Sequence, residues 1–161
     1  LCALTVLANP LAASANPQAP GKTPNPAQLY DCLILLIDLK VISDAYAVNI
    51  VDTAHKVRAK KLSWADGLKS VKAANNSIRS RWDTYQASAT ADAELRAVAK
   101  VTAAKTVADA ATNELTAIFT AQDEAKLVHF VTEKLYPAID PITEDISKLI
   151  ETKVRVCASG G

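Results

Sequence analysis

The chain has 161 residues, about one domain's length and enough to bury a core without staples. Alanine is abundant, glycines number only 4 and aromatics make up 5% of the chain, which suits closely packed helices and argues against an all-β fold. Eighteen Lys and Arg face 17 Asp and Glu, so a formal net charge of +1 removes any global attraction to nucleic acid or to an anionic membrane.

Residues Leu1–Ala15 (LCALTVLANPLAASA) are apolar and end in Ala13-Ser14-Ala15, the form of an export signal's apolar core and cleavage site without its basic start. A native arm is the alternative. The run is too short to cross a membrane. Residues 16–26 carry four prolines and read as an extended linker. Residues 1–26 are thus expected to precede a domain at 27–158, with a flexible tail at 159–161. Met is absent, position 1 included, which points to a processed product or a fragment.

From Ala27 the pattern is helical, with three breaks. Lys61-Leu62-Ser63 is the first, and Ser63 with Asp66 forms a capping-box-like start. Around Ala87–Thr90, Ser88 or Thr90 is placed to cap the next helix. At Thr120-Ala121-Gln122-Asp123 a third start of the S/T-x-x-D kind appears. Four helices follow, near 27–61, 63–87, 90–120 and 122–157. Short connections make neighbours antiparallel, so an all-α, up-down-up-down four-helix bundle is expected. Pro137 and Pro141 are expected to kink the fourth helix.

The second helix repeats Trp64, Leu68, Val71, Asn75, Ile78, Trp82 and Tyr85 at alternating steps of four and three, the seam of a left-handed bundle. The third repeats Val98, Val101, Lys105, Ala108, Thr112, Leu115 and Phe119. For the first helix the same spacing selects Ile37, Val41, Asp44, Val48, Val51 and His55. Its apolar arc is about 200° wide, beyond the ~100° of an ordinary surface helix. One side faces its own bundle; the other calls for a second copy or a partner.

At about 1.5 Å per residue, Asp44, Lys105, Asn75 and Tyr136 all fall roughly 20–25 Å from the end where the first helix finishes. Asp44 is therefore expected to face inward with Lys105 as its partner. Two readings stand: a structural polar layer that fixes helix register, or a ligand site between facing helices. His55 is expected to cap a neighbouring carbonyl or to pair with Asp52, which also reaches Lys56. Asn49, Thr53 and Lys56 lie on the polar side and flank the helix's second covered edge. His129 falls on an outer face. The basic stretch Lys56–Lys61 complements a helix end, with an anion-binding patch as the rival reading. No nucleophile–base pair and no carboxylate pair define a catalytic cleft, so no enzyme is expected.

Three cysteines, Cys2, Cys32 and Cys157, form no C-x-x-C pair, which speaks against a zinc ribbon, a thioredoxin-like site and haem attachment. Two histidines are too few for a typical metal site, and no cofactor is expected. Cys32 and Cys157 lie near the same end of the bundle, about 9 Å apart in height. An intramolecular bond, two thiols, and a bond across a dimer all remain open.

The stretches DAYAVNIVDTAHKVR (Asp44–Arg58), LSWADGL (Leu62–Leu68), WDTY (Trp82–Tyr85) and LYPAIDP (Leu135–Pro141) resemble the four-helix-bundle sensor domain of bacterial methyl-accepting chemotaxis receptors. The resemblance runs from about Leu29 to Arg155. It implies an extracytoplasmic, periplasmic module that is homodimeric through its first and fourth helices. It also implies sensing of small molecules, often carboxylates, amino acids or aromatic acids, in or beside the dimer contact. The residues expected to meet a ligand are Asp44, Asn49, Asp52, His55, Asn75, Lys105 and Tyr136. Such receptors carry transmembrane helices on both sides of the sensor. Here a Pro-rich linker and CASGG flank it, so either the membrane parts lie outside this sequence or the chain is a free exported bundle with a binding or structural role.

Overall fold

The computed structural model of the chain describes residues 25–159. The signal-like segment, nearly all of the linker and the last two residues of the tail lie outside them. The described residues are helical throughout, with no strand among them.

Helix α1 spans Pro26–Asp44. Asn25 caps it: its side chain accepts from the Gln28 N–H at 2.9 Å, and the Gln28 side chain accepts from the Asn25 N–H at 3.0 Å. Pro26 occupies the first turn, where a missing N–H costs nothing. The linker therefore ends at Asn25, one residue before the expected boundary. The run does not continue as a regular α-helix. Ala45–Ile50 is a π-helical segment, and Val51 donates to the Tyr46 carbonyl five residues back. Helix α2, Val51–Arg58, completes the run, which stops where Lys60 takes φ 59°.

The π segment explains which face is buried. Ile42, Tyr46, Ile50 and Ala54, spaced four apart, are at most 1% exposed. A regular helix turns about 100° per residue, so three steps of four would carry the last side chain ~120° round from the first. Wider turns hold all four on one face. The seam expected at Ile37, Val41, Asp44, Val48, Val51 and His55 is instead the flank: Ile37 and Val48 are exposed, and none of the six is fully buried.

Helix α3 (Trp64–Ser88) starts at Ser63, whose side chain accepts from the Asp66 N–H at 3.1 Å, as expected. Helix α4 (Asp92–Ala121) follows Ala91 with no side-chain cap. Neither Ser88 nor Thr90 serves there; the Ser88 hydroxyl donates backward to the Tyr85 carbonyl. The third start is also displaced. Gln122 takes φ 51° and closes α4, and Asp123, not Thr120, caps helix α5 (Glu124–Glu133) by accepting from the Lys126 N–H. The fourth expected helix is divided at Lys134, and helix α6 runs Leu135–Ala158. Pro137 falls in its first turn and leaves the Glu133 carbonyl without the N–H it would otherwise bond, which suits an interruption just ahead. Pro141 sits inside α6.

Helices α3 and α6 each pack on both α1 and α4, and α5 packs on α2 and α4. The seams of α3 and α4 enter one core with Leu39, Ile42, Tyr46 and Ile50 from the first run and Leu135, Ile139, Ile142, Ile146 and Leu149 from α6. Burying such a side chain contributes about 1.5–3 kcal/mol. Gly67 permits a close approach at one end: a Cβ there would lie 2.5 Å from Val57 Cγ2. At the other end Cys32 and Cys157 form an intramolecular disulfide with Cα atoms 6.1 Å apart, joining α1 to α6. The 9 Å height difference assumed a uniform rise, which the π segment and the break at Lys134 both disturb.

Candidate functional site

The expected polar slab divides into separate groups. Lys105, on α4, does not meet Asp44. Its ammonium donates to Asp109 one turn onward at 2.5 Å, and Tyr46 from the π segment donates to the other Asp109 oxygen at 2.7 Å. Asp44 sits half-exposed at the end of α1 and pairs with Lys40. Equal height put Asp44 and Lys105 together in the sequence reading, but Asp44 lies on the flank of its helix. Tyr46 reaches Asp109 because it lies on the buried face. Asn75 and Lys105 do share a place: a surface cleft of about 170 Å³ between α3 and α4, also lined by Arg79, Asp109, Thr112 and Asn113.

The second group lies on the edge between α2 and α6. The His55 Nε2 and the Tyr136 hydroxyl are 2.9 Å apart, with ring centroids at 5.9 Å. His55 thus bonds across to the last helix instead of to a carbonyl or Asp52. Tyr136 is 45% exposed, so it faces outward, not into the slab. Asp52 pairs with Lys56 at 2.6 Å, and Asn49 is exposed one turn earlier. His55 and Tyr136 thus join α2 to α6 at the surface, with Asn49 and Asp52 exposed on the same run as His55. Towards the disulfide end this edge gives way to an apolar stripe on α1: Leu29, Tyr30, Leu33, Ile34 and Ile37 are all exposed. His129 is exposed on α5, as expected.

A third group was not anticipated. Glu94, in the first turn of α4, is 0% exposed and accepts from Lys153 at 3.0 Å and from the Tyr85 hydroxyl at 2.7 Å. Asp38 on α1 is also buried and pairs with Arg81 of α3. The signal for the first pair was present. Glu94 precedes Val98, Val101 and Lys105 at the seam spacing, and Lys153 follows Ile142, Ile146 and Leu149. Among the described residues no group of His, Cys, Asp and Glu is placed to hold a metal ion, and no helix is long and apolar enough to cross a membrane.

Burial pushes the Tyr46 and Tyr85 phenols well above their ordinary value, and the hydrogen bonds and negative charges of Asp109 and Glu94 push the same way. The folded chain therefore holds protons that an unfolded chain releases above about pH 10. Stability is fully present below that pH and falls as pH rises beyond it, by at most about 1.4 kcal/mol per pH unit for each phenol. An alkaline titration followed by phenolate absorbance and circular dichroism should show Tyr46 and Tyr85 ionising only with loss of helix. Smooth ionisation of both in the folded chain would contradict their buried hydrogen bonds.

The chain is 36% identical over 125 residues to the methyl-accepting chemotaxis protein NahY of Pseudomonas putida. The chain is related to a chemotaxis receptor. The match covers 78% of this chain and 23% of that protein, so the chain spans about a quarter of its relative's length. No protein-family model and no solved structure matches.

Proposed function

We propose that the chain is the extracytoplasmic, periplasmic small-molecule-sensing module of a chemotaxis-type receptor, built as an antiparallel up-down-up-down four-helix bundle with its fourth run kinked at the prolines. It binds and does not catalyse, and it needs no cofactor. The observation that carries the reading is the similarity to a methyl-accepting chemotaxis protein across 125 residues. The exposed stripe Leu29, Tyr30, Leu33, Ile34 and Ile37 supports pairing with a second copy through the first and fourth runs, since an uncovered apolar row of this length marks an interaction surface. The adjoining rim of Asn49, Asp52, His55 and Tyr136 offers hydrogen bonds and charge of both signs to a carboxylate or amino acid held at that contact. Asn75 and Lys105 lie away from that rim, in the cleft between α3 and α4. Asn75 and Lys105 suit a structural polar layer better, with Asp44 a solvated ion-pair member.

Thermal unfolding across a panel of small carboxylates and amino acids tests the reading. A ligand present at 100 times its dissociation constant adds about 2.7 kcal/mol of stability. The stabilising compound should lose its effect in a His55→Ala, Tyr136→Phe variant. Sedimentation over rising concentration should show a dimer, with or without that compound. No response to a broad panel, together with a strict monomer, would favour a free exported bundle with a structural role.

A further inference from the structure

A cleft lies at the end of the molecule away from the disulfide, where α2 turns into α3. Its volume is about 470 Å³, within the range of small-molecule sites. Val57, Leu62, Trp64 and Leu127 supply apolar walls, and Val57 and Leu127 are almost wholly buried. Trp64 is fixed edge-on against Phe119, with ring centroids 5.8 Å apart. Over this floor stand Arg58, Lys60 and Lys61, against one lining carboxylate, Glu124. Lys60 already holds Glu124 at 3.1 Å, and among the described residues Arg58 and Lys61 have no carboxylate within 4.0 Å.

Cations commonly gather at a helix end to complement its free carbonyls. That explanation is weakened here because the end is already closed by backbone. The Lys56 carbonyl accepts from the N–H groups of both Lys61 and Leu62, and the His55 carbonyl accepts from Ala59. The same bonds, with Lys60 at φ 59°, hold the turn in a defined shape and set the three cations on one rim.

We propose that this cleft binds a small organic carboxylate with an apolar body, the body against Trp64 and Leu62 and the carboxylate between Arg58 and Lys61. A guanidinium presents a planar fork that matches a carboxylate's two oxygens, and an apolar floor beneath it disfavours a fully hydrated inorganic anion. Neither His55 nor Tyr136 lines the cleft, so the site is distinct from the rim described above and the two are tested separately.

The test is an NMR titration of the full ¹⁵N-labelled chain with phenylacetate as probe. Saturable shifts are expected at the amides from Lys60 to Trp64 and at the Trp64 indole, with a dissociation constant of roughly 10 mM or tighter. Acetate, which lacks the body, and benzylamine, which lacks the negative charge, should each bind at least about tenfold more weakly. Arg58→Gln and Lys61→Gln, both at exposed positions, should each weaken phenylacetate about tenfold or more. Lys72→Gln, at an exposed position of α3 outside the cleft, should leave the titration unchanged. Non-saturating shifts, shifts confined to residues elsewhere, equal binding of benzylamine, or parent-like affinity in both Gln variants would overturn the proposal. The sensing reading would survive that failure, because it is tested at His55 and Tyr136.

Discussion

Reducing the disulfide between Cys32 and Cys157, or replacing both cysteines with serine, should lower the thermal midpoint by roughly 10–20 °C. The bond joins residues 125 apart, almost the full length of the described chain. Cutting it releases the unfolded chain from a long closed loop. In the chain-entropy picture that release removes about 5 kcal/mol of stability, and in a chain of this size each kcal/mol moves the midpoint by about 2–4 °C. The folded state loses little, since α1 and α6 still pack along their length. Thermal melts with and without reductant measure the change, and alkylation followed by mass analysis counts the free thiols. Matching midpoints in oxidised and reduced chains would mean that the bond does not form or that the unfolded chain is already compact.

Much of the helical organisation was legible in the sequence because it follows local rules. Trp64 to Tyr85 and Val98 to Phe119 alternate steps of four and three, and most members of both rows are buried. Ser63 was recognised as a cap from two residues alone, and it bonds the Asp66 N–H as that pattern requires. The rules failed where the backbone departs from 3.6 residues per turn. On the first run a uniform period selected Ile37, Asp44, Val48 and His55. The buried row is Leu39, Ile42, Tyr46, Ile50 and Ala54, aligned only by the π segment. At Thr120 the pattern matched, but a left-handed Gln122 ends the preceding helix and hands the cap to Asp123.

The candidate site shows what height without azimuth can and cannot give. Asp44 and Lys105 were matched by distance along their helices, yet each takes a partner four residues away on its own helix. Asn75 and Lys105 were matched in the same way and do share a cleft, because both lie on seams of regular helices. His55 and Tyr136 were each picked out, but not as a pair. Their meeting depends on how α2 and α6 are set after two irregular segments, which no single-helix pattern contains. Glu94 and Lys153 were overlooked for a different reason. Both continue their seams, but a carboxylate in the first turn of a helix, where Glu94 stands, is normally assigned to the dipole, and without it Lys153 has no visible partner.

That overlooked pair carries the other large effect. Lys153→Met should cost about 3–5 kcal/mol, because it strands a buried carboxylate. Glu94 is 0% exposed, and its Oε2 is buried with no hydrogen-bond partner. Its Oε1 depends on the Lys153 ammonium at 3.0 Å and the Tyr85 hydroxyl at 2.7 Å. The ammonium also stands 5.8 Å from the centre of the Tyr85 ring, so removing it takes away a cation–π contact as well. The methionine keeps the packing volume and removes only the charge. Glu94→Gln combined with Lys153→Met should therefore recover part of the loss, since a neutral amide no longer needs a cation while it still accepts from Tyr85. Urea unfolding at neutral pH, followed by circular dichroism, gives the two single changes and the double. A coupling of more than about 1 kcal/mol is expected for groups in direct contact. Additive costs, or a Lys153→Met variant as stable as the parent, would mean that the two side chains do not meet in the folded chain.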